Sequence, residues 1–250
     1  TLSSSSAASD VYKRQQSTYY WDNDGANPGF GTAAGTWAVP TTADNTQGWS
    51  TSSTGAAVPS AVTTTTSDSL NFGNGSTGLA AGSIAVSGTV ASGNIIFAAG
   101  SGAIALSGGT INLAANTTIT VNNTSDSISS ALAGASTTLK KDGTGTLTLS
   151  GTNTSTGGFN LAAGGLNINS STALGTGSFS INSTGTINNT SGGLITIANN
   201  INSGQNTTFG GTNPLTTTGT YSYNNNNRVL QVNGSGAFTI KAFTLSLIHI

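Results

Sequence analysis

The chain has 250 residues, and only 5% of them are charged, six basic against seven acidic. With no cluster of Lys or Arg, a phosphate-neutralising nucleic-acid surface is excluded. The longest apolar stretches fall far short of the roughly 18 residues of a membrane-spanning helix, and the absence of cysteine removes disulfide staples and thiolate metal sites. Glycine accounts for 35 residues, with Ser, Thr and Asn making up much of the rest. That composition alone suits a flexible linker. The regular recurrence of Ile, Leu, Val and Phe argues instead for an ordered all-β body.

The two ends stand apart in composition. Thr1–Gln15 (TLSSSSAASDVYKRQ) gathers three charged residues, and Thr244–Ile250 closes on LSLIHI with His249 between isoleucines. Both are similar to the translated adaptor-like tails of metagenomic reading frames and are expected to be non-native; the alternative is a natural polar tail and a last strand. On the first reading the chain is an internal piece of a longer protein. Without those ends Lys140, Lys141, Arg228 and Lys241 face six aspartates, a formal charge of −2.

Residues 16–78 hold all three tryptophans, Trp21, Trp37 and Trp49, with Gly and Pro between them. Aromatics so spaced predict a cap over one end of a β stack, whose last coil otherwise exposes apolar interior and an unpaired edge. The competing reading is a set of glycan-stacking rings. From residue 79 to 243 the pattern becomes regular. Ile84/Val86, Ile95/Phe97, Ile104/Leu106, Ile111/Leu113 and Ile119/Val121 are inward pairs of short strands. Ile95 to Ile119 and Ile104 to Ile128 both span 24 positions. The spacing predicts three short strands per coil and six or seven coils over 79–243, stacked at about 4.8 Å each into a rod on the order of 30 Å. The fold class expected is all-β, a right-handed single-stranded parallel β-helix with an aromatic-rich N-terminal cap. A β-sandwich is the alternative, since it too places strands 8–12 residues apart. Toward the C-terminus, Asn224–Asn227 predicts a loop or a stacked Asn ladder. The strand pattern then resumes at Val229, Leu230, Val232, Phe238 and Ile240.

The clearest unit lies at 136–181. There LKKDGTGTLTLSGTNTSTGGFNLAAGGLNINSSTALGTGSFSI closely resembles the autotransporter-associated β-strand repeat. Lys141, Gly143, Gly145, Leu147, Leu149, Ser150, Gly151 and Asn153 match its lysine-glycine turn, leucine strand and SG-x-N turn. Gly157 and Gly158 match the glycine turn that follows, and Leu166, Ala173, Leu174, Gly175 and Gly177 match its later strand and its ALG-x-G close. Thr154–Ser155 and Phe159–Asn160 depart from the usual pattern. The resemblance implies a parallel β-helix exported beyond the inner membrane as the passenger of a bacterial surface protein. It would be anchored at the outer membrane through a more C-terminal region, or retained through a sorting signal. Its partners would be a surface receptor or an extracellular polysaccharide. No nucleic acid, cofactor or membrane insertion is expected, and the piece would be a monomeric segment.

Catalysis fares poorly on the residues. A glycosidase needs two carboxyl groups about 5–9.5 Å apart, and the acids outside the ends are Asp22, Asp24, Asp44, Asp68, Asp126 and Asp142. Only the last two lie in the repeat region. There is no nucleophile–base pair beyond His249. The expectation is therefore a non-catalytic stalk or adhesin-like segment; a polysaccharide-binding module is the alternative, and a fragment of a β-helical polysaccharide-degrading enzyme a lesser one. Asp22–Asn23–Asp24–Gly25 resembles the start of a Ca²⁺ loop but lacks the closing Glu; an Asx-type turn is its simpler reading. Lys140 and Lys141 are expected to be solvent-exposed at a turn. The sequons at Asn74, Asn122, Asn153, Asn169 and Asn182 carry little weight in so Asn- and Thr-rich a chain.

Overall fold

Each strand is short and two-faced. In Thr146–Leu149 the two leucines are fully buried while the threonines beside them are half-buried, and Asn94–Phe97 and Gly165–Ile168 repeat the pattern. Side chains alternate across a strand, so each strand sends two apolar groups inward and the following Gly, Asn or Ser turns the chain. The computed structural model, which describes residues 16–41, 48–134, 138–224 and 228–244, is a right-handed parallel β-solenoid of about 8 turns. Successive coils pair in parallel in every sheet, which sets aside the sandwich, whose neighbouring strands run antiparallel.

The walls are three sheets. A twelve-stranded sheet runs from Trp49–Ser50 through Thr18–Trp21, Ser69–Phe72 and Asn94–Phe97 down to Phe238–Thr244. A nine-stranded sheet runs from Thr36–Trp37 to Leu230–Val232, and a three-stranded sheet joins Thr89–Ser92, Thr110–Leu113 and Ala131–Ala133. The stack crosses the compositional boundary at residue 78 without a break, because Thr18–Trp21 pairs in parallel with Ser69–Phe72 and Thr36–Trp37 with Gly82–Val86. Asn225–Asn227, Thr1–Gln15 and His249 lie outside the described residues.

Coil length is not constant. Leu70 stacks on Ile95 and Ile95 on Ile119, steps of 25 and 24 residues, whereas Leu139 to Phe159 and Phe159 to Phe179 are steps of 20. The shortening comes from the third side. Three strands per coil hold as far as Ala131–Ala133, but residues 150–158 and 169–178 contain no strand. The third side returns as Ile195–Ile197 and the first parts of Leu215–Tyr223 and Phe238–Thr244. Shorter coils fit more turns into the same chain. Eight strands of the nine-stranded sheet lie within 79–243, where six or seven were expected, and about 8 turns make a rod near 38 Å long.

The N-terminal end is filled with rings. Trp49 meets Trp21 edge-on at 5.0 Å and Trp37 at 5.5 Å, and Phe72 lies 5.9 Å from Trp49 and stacks on Phe97 at 5.2 Å. Trp49–Ser50 pairs antiparallel with Thr18–Trp21 and closes the outer edge of the large sheet, which blunts an edge that would otherwise accept another strand.

Candidate functional site

The repeat motif is built around one buried cation. Leu139 faces the interior, so Lys141, two residues on in Thr138–Asp142, faces it too, directly below Ile119 and above Leu161. The expected exposure of Lys141 is therefore corrected: it is 0% exposed. Its Nζ donates to the carbonyl oxygens of Asp142 (2.9 Å), Gly143 (2.9 Å) and Ala163 (3.0 Å). All three protons of the ammonium thus have acceptors, and the third acceptor belongs to the next coil. Burial lowers the Lys141 pKa from 10.5 to about 8, opposed by the nearby charges of Asp142 and Asp126.

The glycines of the motif make room for this knot. Gly143 and Gly164 have φ of 78° and 67°, the left-handed region that favours glycine. A Cβ on Gly164 would lie 2.9 Å from Lys141 Nζ and run into the carbonyls of Gly143 and Gly145. Side chains on Gly145, Gly151 and Gly177 would likewise strike the backbone of Asn123, Ser130 and Gly158. Gly175 packs in the same way against Ser155, which is itself buried. Leu147 and Leu149 stack on Leu166 and Ile168, while Ala173 and Leu174 fill the strandless third side. Gly157 and Gly158 accept from Thr138 and Leu139, at 3.2 and 2.9 Å. The departing Phe159 is buried and meets Phe179 edge-on at 5.8 Å.

Where the third strand is missing, buried amides replace it. Asn153 continues the column of Val90, Ile111 and Leu132; its Oδ1 accepts from Leu132 N at 2.8 Å and its Nδ2 donates to Ala173 O at 2.6 Å. Asn199 Nδ2 donates to Gly175 O and Gly177 O, and Asn189 Nδ2 to Gly193 O and Pro214 O. Sequence reasoning found Asn153 through the motif but missed Asn189 and Asn199, whose only signal is their place in a glycine-rich corner.

The lysine on the other side of the turn differs. Lys140 Nζ pairs with Asp142 at 2.6 Å, with both side chains about 40% exposed, and that ammonium, hydrogen-bonded to the carboxyl, holds the Asp142 pKa below the usual range. The chain matches no protein-family model, and comparison with curated proteins and with solved structures gives no match. The function must therefore be read from the geometry.

That geometry gives Asp22, Asp68, Asp126 and Asp142 a local partner. Asp126 occupies an inward position opposite Leu147. Its Oδ1 accepts from Ile104 N at 2.8 Å and Asn123 Nδ2 at 3.0 Å, while its buried Oδ2 has no partner. Burial raises its pKa to about 6, against the lowering pull of Asn123, Ile104 N and Lys141. Asp68 accepts from Thr65 N and Oγ1 at 2.7 and 2.8 Å. Asp22 is buried, and its Oδ1 accepts from Asp24 N at 3.2 Å, the Asx turn expected of DNDG. Asp44 lies outside the described residues. Among the described residues no group of three or more His, Cys, Asp or Glu converges, and two open surface depressions are lined by Asn, Gln, Thr, Ser, Ala and Gly without a titratable side chain. The tryptophans are corrected as glycan-stacking candidates: Trp21, Trp37 and Trp49 are at most 1% exposed, so no ring face is open to a sugar.

Proposed function

We propose that this chain is a non-catalytic spacer, a stalk or adhesin-like segment of an exported bacterial surface protein whose displayed length is its contribution. The observation that carries this reading is an interior filled with side chains from Trp21 to Tyr221. Its polar members are spent on the backbone: Lys141, Asn153 and Asn199 bind carbonyls of adjacent coils. A packed core with clamped corners resists local opening and proteolysis. The sheet exterior is hydroxyl and amide, as in the ladder of Thr148, Asn167 and Asn188 at 2.9 and 3.0 Å, which stays hydrated with few charges. The likeness of 140–177 to a passenger repeat supports export and surface display. Among the described residues no helix is long and apolar enough to cross a membrane.

The test is proteinase K digestion of the folded chain, with pull-down on cellulose, chitin and xylan and a reducing-sugar assay on each. The expected result is a resistant core, no retention and no sugar release. Retention on one glycan would replace the spacer by a polysaccharide-binding module, and sugar release would replace it by an enzyme.

A further inference from the structure

Residues 16–139 contain five aspartates and no Lys, Arg or His. Among the described residues the nearest basic ones along the stack, Lys140 and Lys141, sit four coils below Thr18–Trp21, about 19 Å away along the axis. Within this stretch Asp22 and Asp24 flank the first turn beside the tryptophan cluster. Their carboxyl groups are close enough for each to bear on the other's ionisation. Asp22 is 0% exposed, and its Oδ2 has no hydrogen-bond partner; Asp24 Oδ1 is also buried and unpartnered. The backbone around them is held from outside the pair. Asp22 N donates to Gly48 O at 2.6 Å, Asn23 N to Phe30 O at 3.4 Å, and Thr32 N to Asn23 Oδ1 at 3.0 Å. Gly29 and Gly31 complete the cradle, since a Cβ on Gly29 would approach Asp24 Oδ2 to 3.3 Å and one on Gly31 would collide with Asn23 Oδ1.

Two adjoining carboxylates with buried, unpaired oxygens cannot both stay ionised without a counter-charge. No side-chain cation among the described residues lies near the pair, which leaves a proton or an ion from solution to meet the charge. We propose that Asp22 and Asp24 bind a hard divalent cation, Ca²⁺ in preference to Mg²⁺, which ties the first turn to the aromatic end of the solenoid. Ca²⁺ accepts six to eight oxygens in loose geometry and tolerates water and carbonyls among them, whereas Mg²⁺ demands a near-ideal octahedron and gives up its water reluctantly. Asn23 is not a ligand: its side-chain oxygen is engaged by Thr32. With two carboxylates, the site belongs with the weak extracellular ones, on the order of 0.1–1 mM. A proton shared between the carboxyls is the competing state; burial and the neighbouring Asp24 raise the Asp22 pKa to about 6.

The test uses the 250-residue chain stripped with EDTA. Tb³⁺ is titrated while its emission is excited through tryptophan, Trp21 being next in sequence to Asp22, and Ca²⁺ and Mg²⁺ are then added as competitors. Thermal unfolding is followed with Ca²⁺ and with EDTA. The expected results are saturable Tb³⁺ emission displaced by Ca²⁺ before Mg²⁺, and a higher melting midpoint in Ca²⁺. Asp24→Asn should weaken binding at least tenfold. Asp142→Asn, at the distant surface pair, should leave it unchanged. Asp24 is half-buried, so its variant keeps the test usable if Asp22→Asn does not fold. Absence of saturation by about 10 mM Ca²⁺, or equal binding by Asp24→Asn, would overturn the site and leave the shared proton as the state of the pair.

Discussion

The two halves of the solenoid solve one problem by different means. In the N-terminal half, from Ser69 to Ala133, a coil takes 24 or 25 residues on the large sheet and all three sides carry strands, and the end above it is plugged by four large rings. In the repeat half a coil takes 20 residues and two sides carry strands; Lys141 clamps the glycine turn between those two sides, and the strandless third side is held by the side chains of Asn153 and Asn199. A strand satisfies its backbone through its neighbours; a corner without a strand leaves carbonyls that need donors. The repeat half supplies those donors from inside. Shape can thus be held either by apolar volume or by a few buried polar groups, and the second way uses fewer residues per turn.

Removing apolar volume should have the largest effect. Trp49→Ala empties the contact between Trp21, Trp37 and Phe72 and is expected to cost about 4 kcal/mol, read as a lower urea midpoint. A loss under about 1 kcal/mol would mean that the aromatic end is not part of the cooperative stack. Next is the clamp. Lys141→Met keeps the aliphatic volume but strands three carbonyls, with an expected loss of roughly 3 kcal/mol. Lys140→Met, at the exposed pair with Asp142, should change stability by less than about 1 kcal/mol. Equal effects of the two lysine variants would erase the distinction between the halves.

Acidity sharpens the comparison further. The folded pKa of Asp126, about 6, lies above its ordinary 3.8, so the folded state holds this proton more tightly than the unfolded one. The stabilisation this gives is complete below about pH 4 and is lost as the pH rises through 6. Asp126→Asn has no such proton. The variant should gain on the parent by up to about 3 kcal/mol between pH 4 and pH 7, seen in paired urea titrations at the two pH values; parallel profiles would show that Asp126 is not buried as a charge. The smallest loss expected outside the exposed Lys140 control is steric. Gly164→Ala, strained by its positive φ and its crowding against Lys141, should cost about 2 kcal/mol.

Much of this was legible in the sequence. Alternating pairs gave the inward columns, and the 24-residue step from Ile95 to Ile119 is an observed pairing. The equal step from Ile104 to Ile128 is not: Ile128 pairs with Leu106, and continuing that register brings Asp126 into line with Ile104. An apolar pattern cannot register an acid in a core position, nor the two-residue shortening that moves it there. Lys141 was misjudged for a related reason. Its charge argued for solvent, although Leu139 had already set the inward parity, and the carbonyls of its own turn together with one from the following coil make the burial tolerable. The cation site depends on which oxygens lack partners, something residue order does not reveal.

Residue-resolved hydrogen exchange tests the central claim most directly, namely that strandless corners held by buried side chains are as secure as strand-bearing sides. Thr154 N, bonded to Leu132 O, and Thr176 N, bonded to Ser155 O, should be protected to the level of the amides in Thr110–Leu113. Asn153→Ala, which removes the bonds to Leu132 N and Ala173 O, should release Thr154 while leaving Thr110–Leu113 unchanged. Exchange of Thr154 and Thr176 as fast as exposed loop amides in the parent chain would contradict the account.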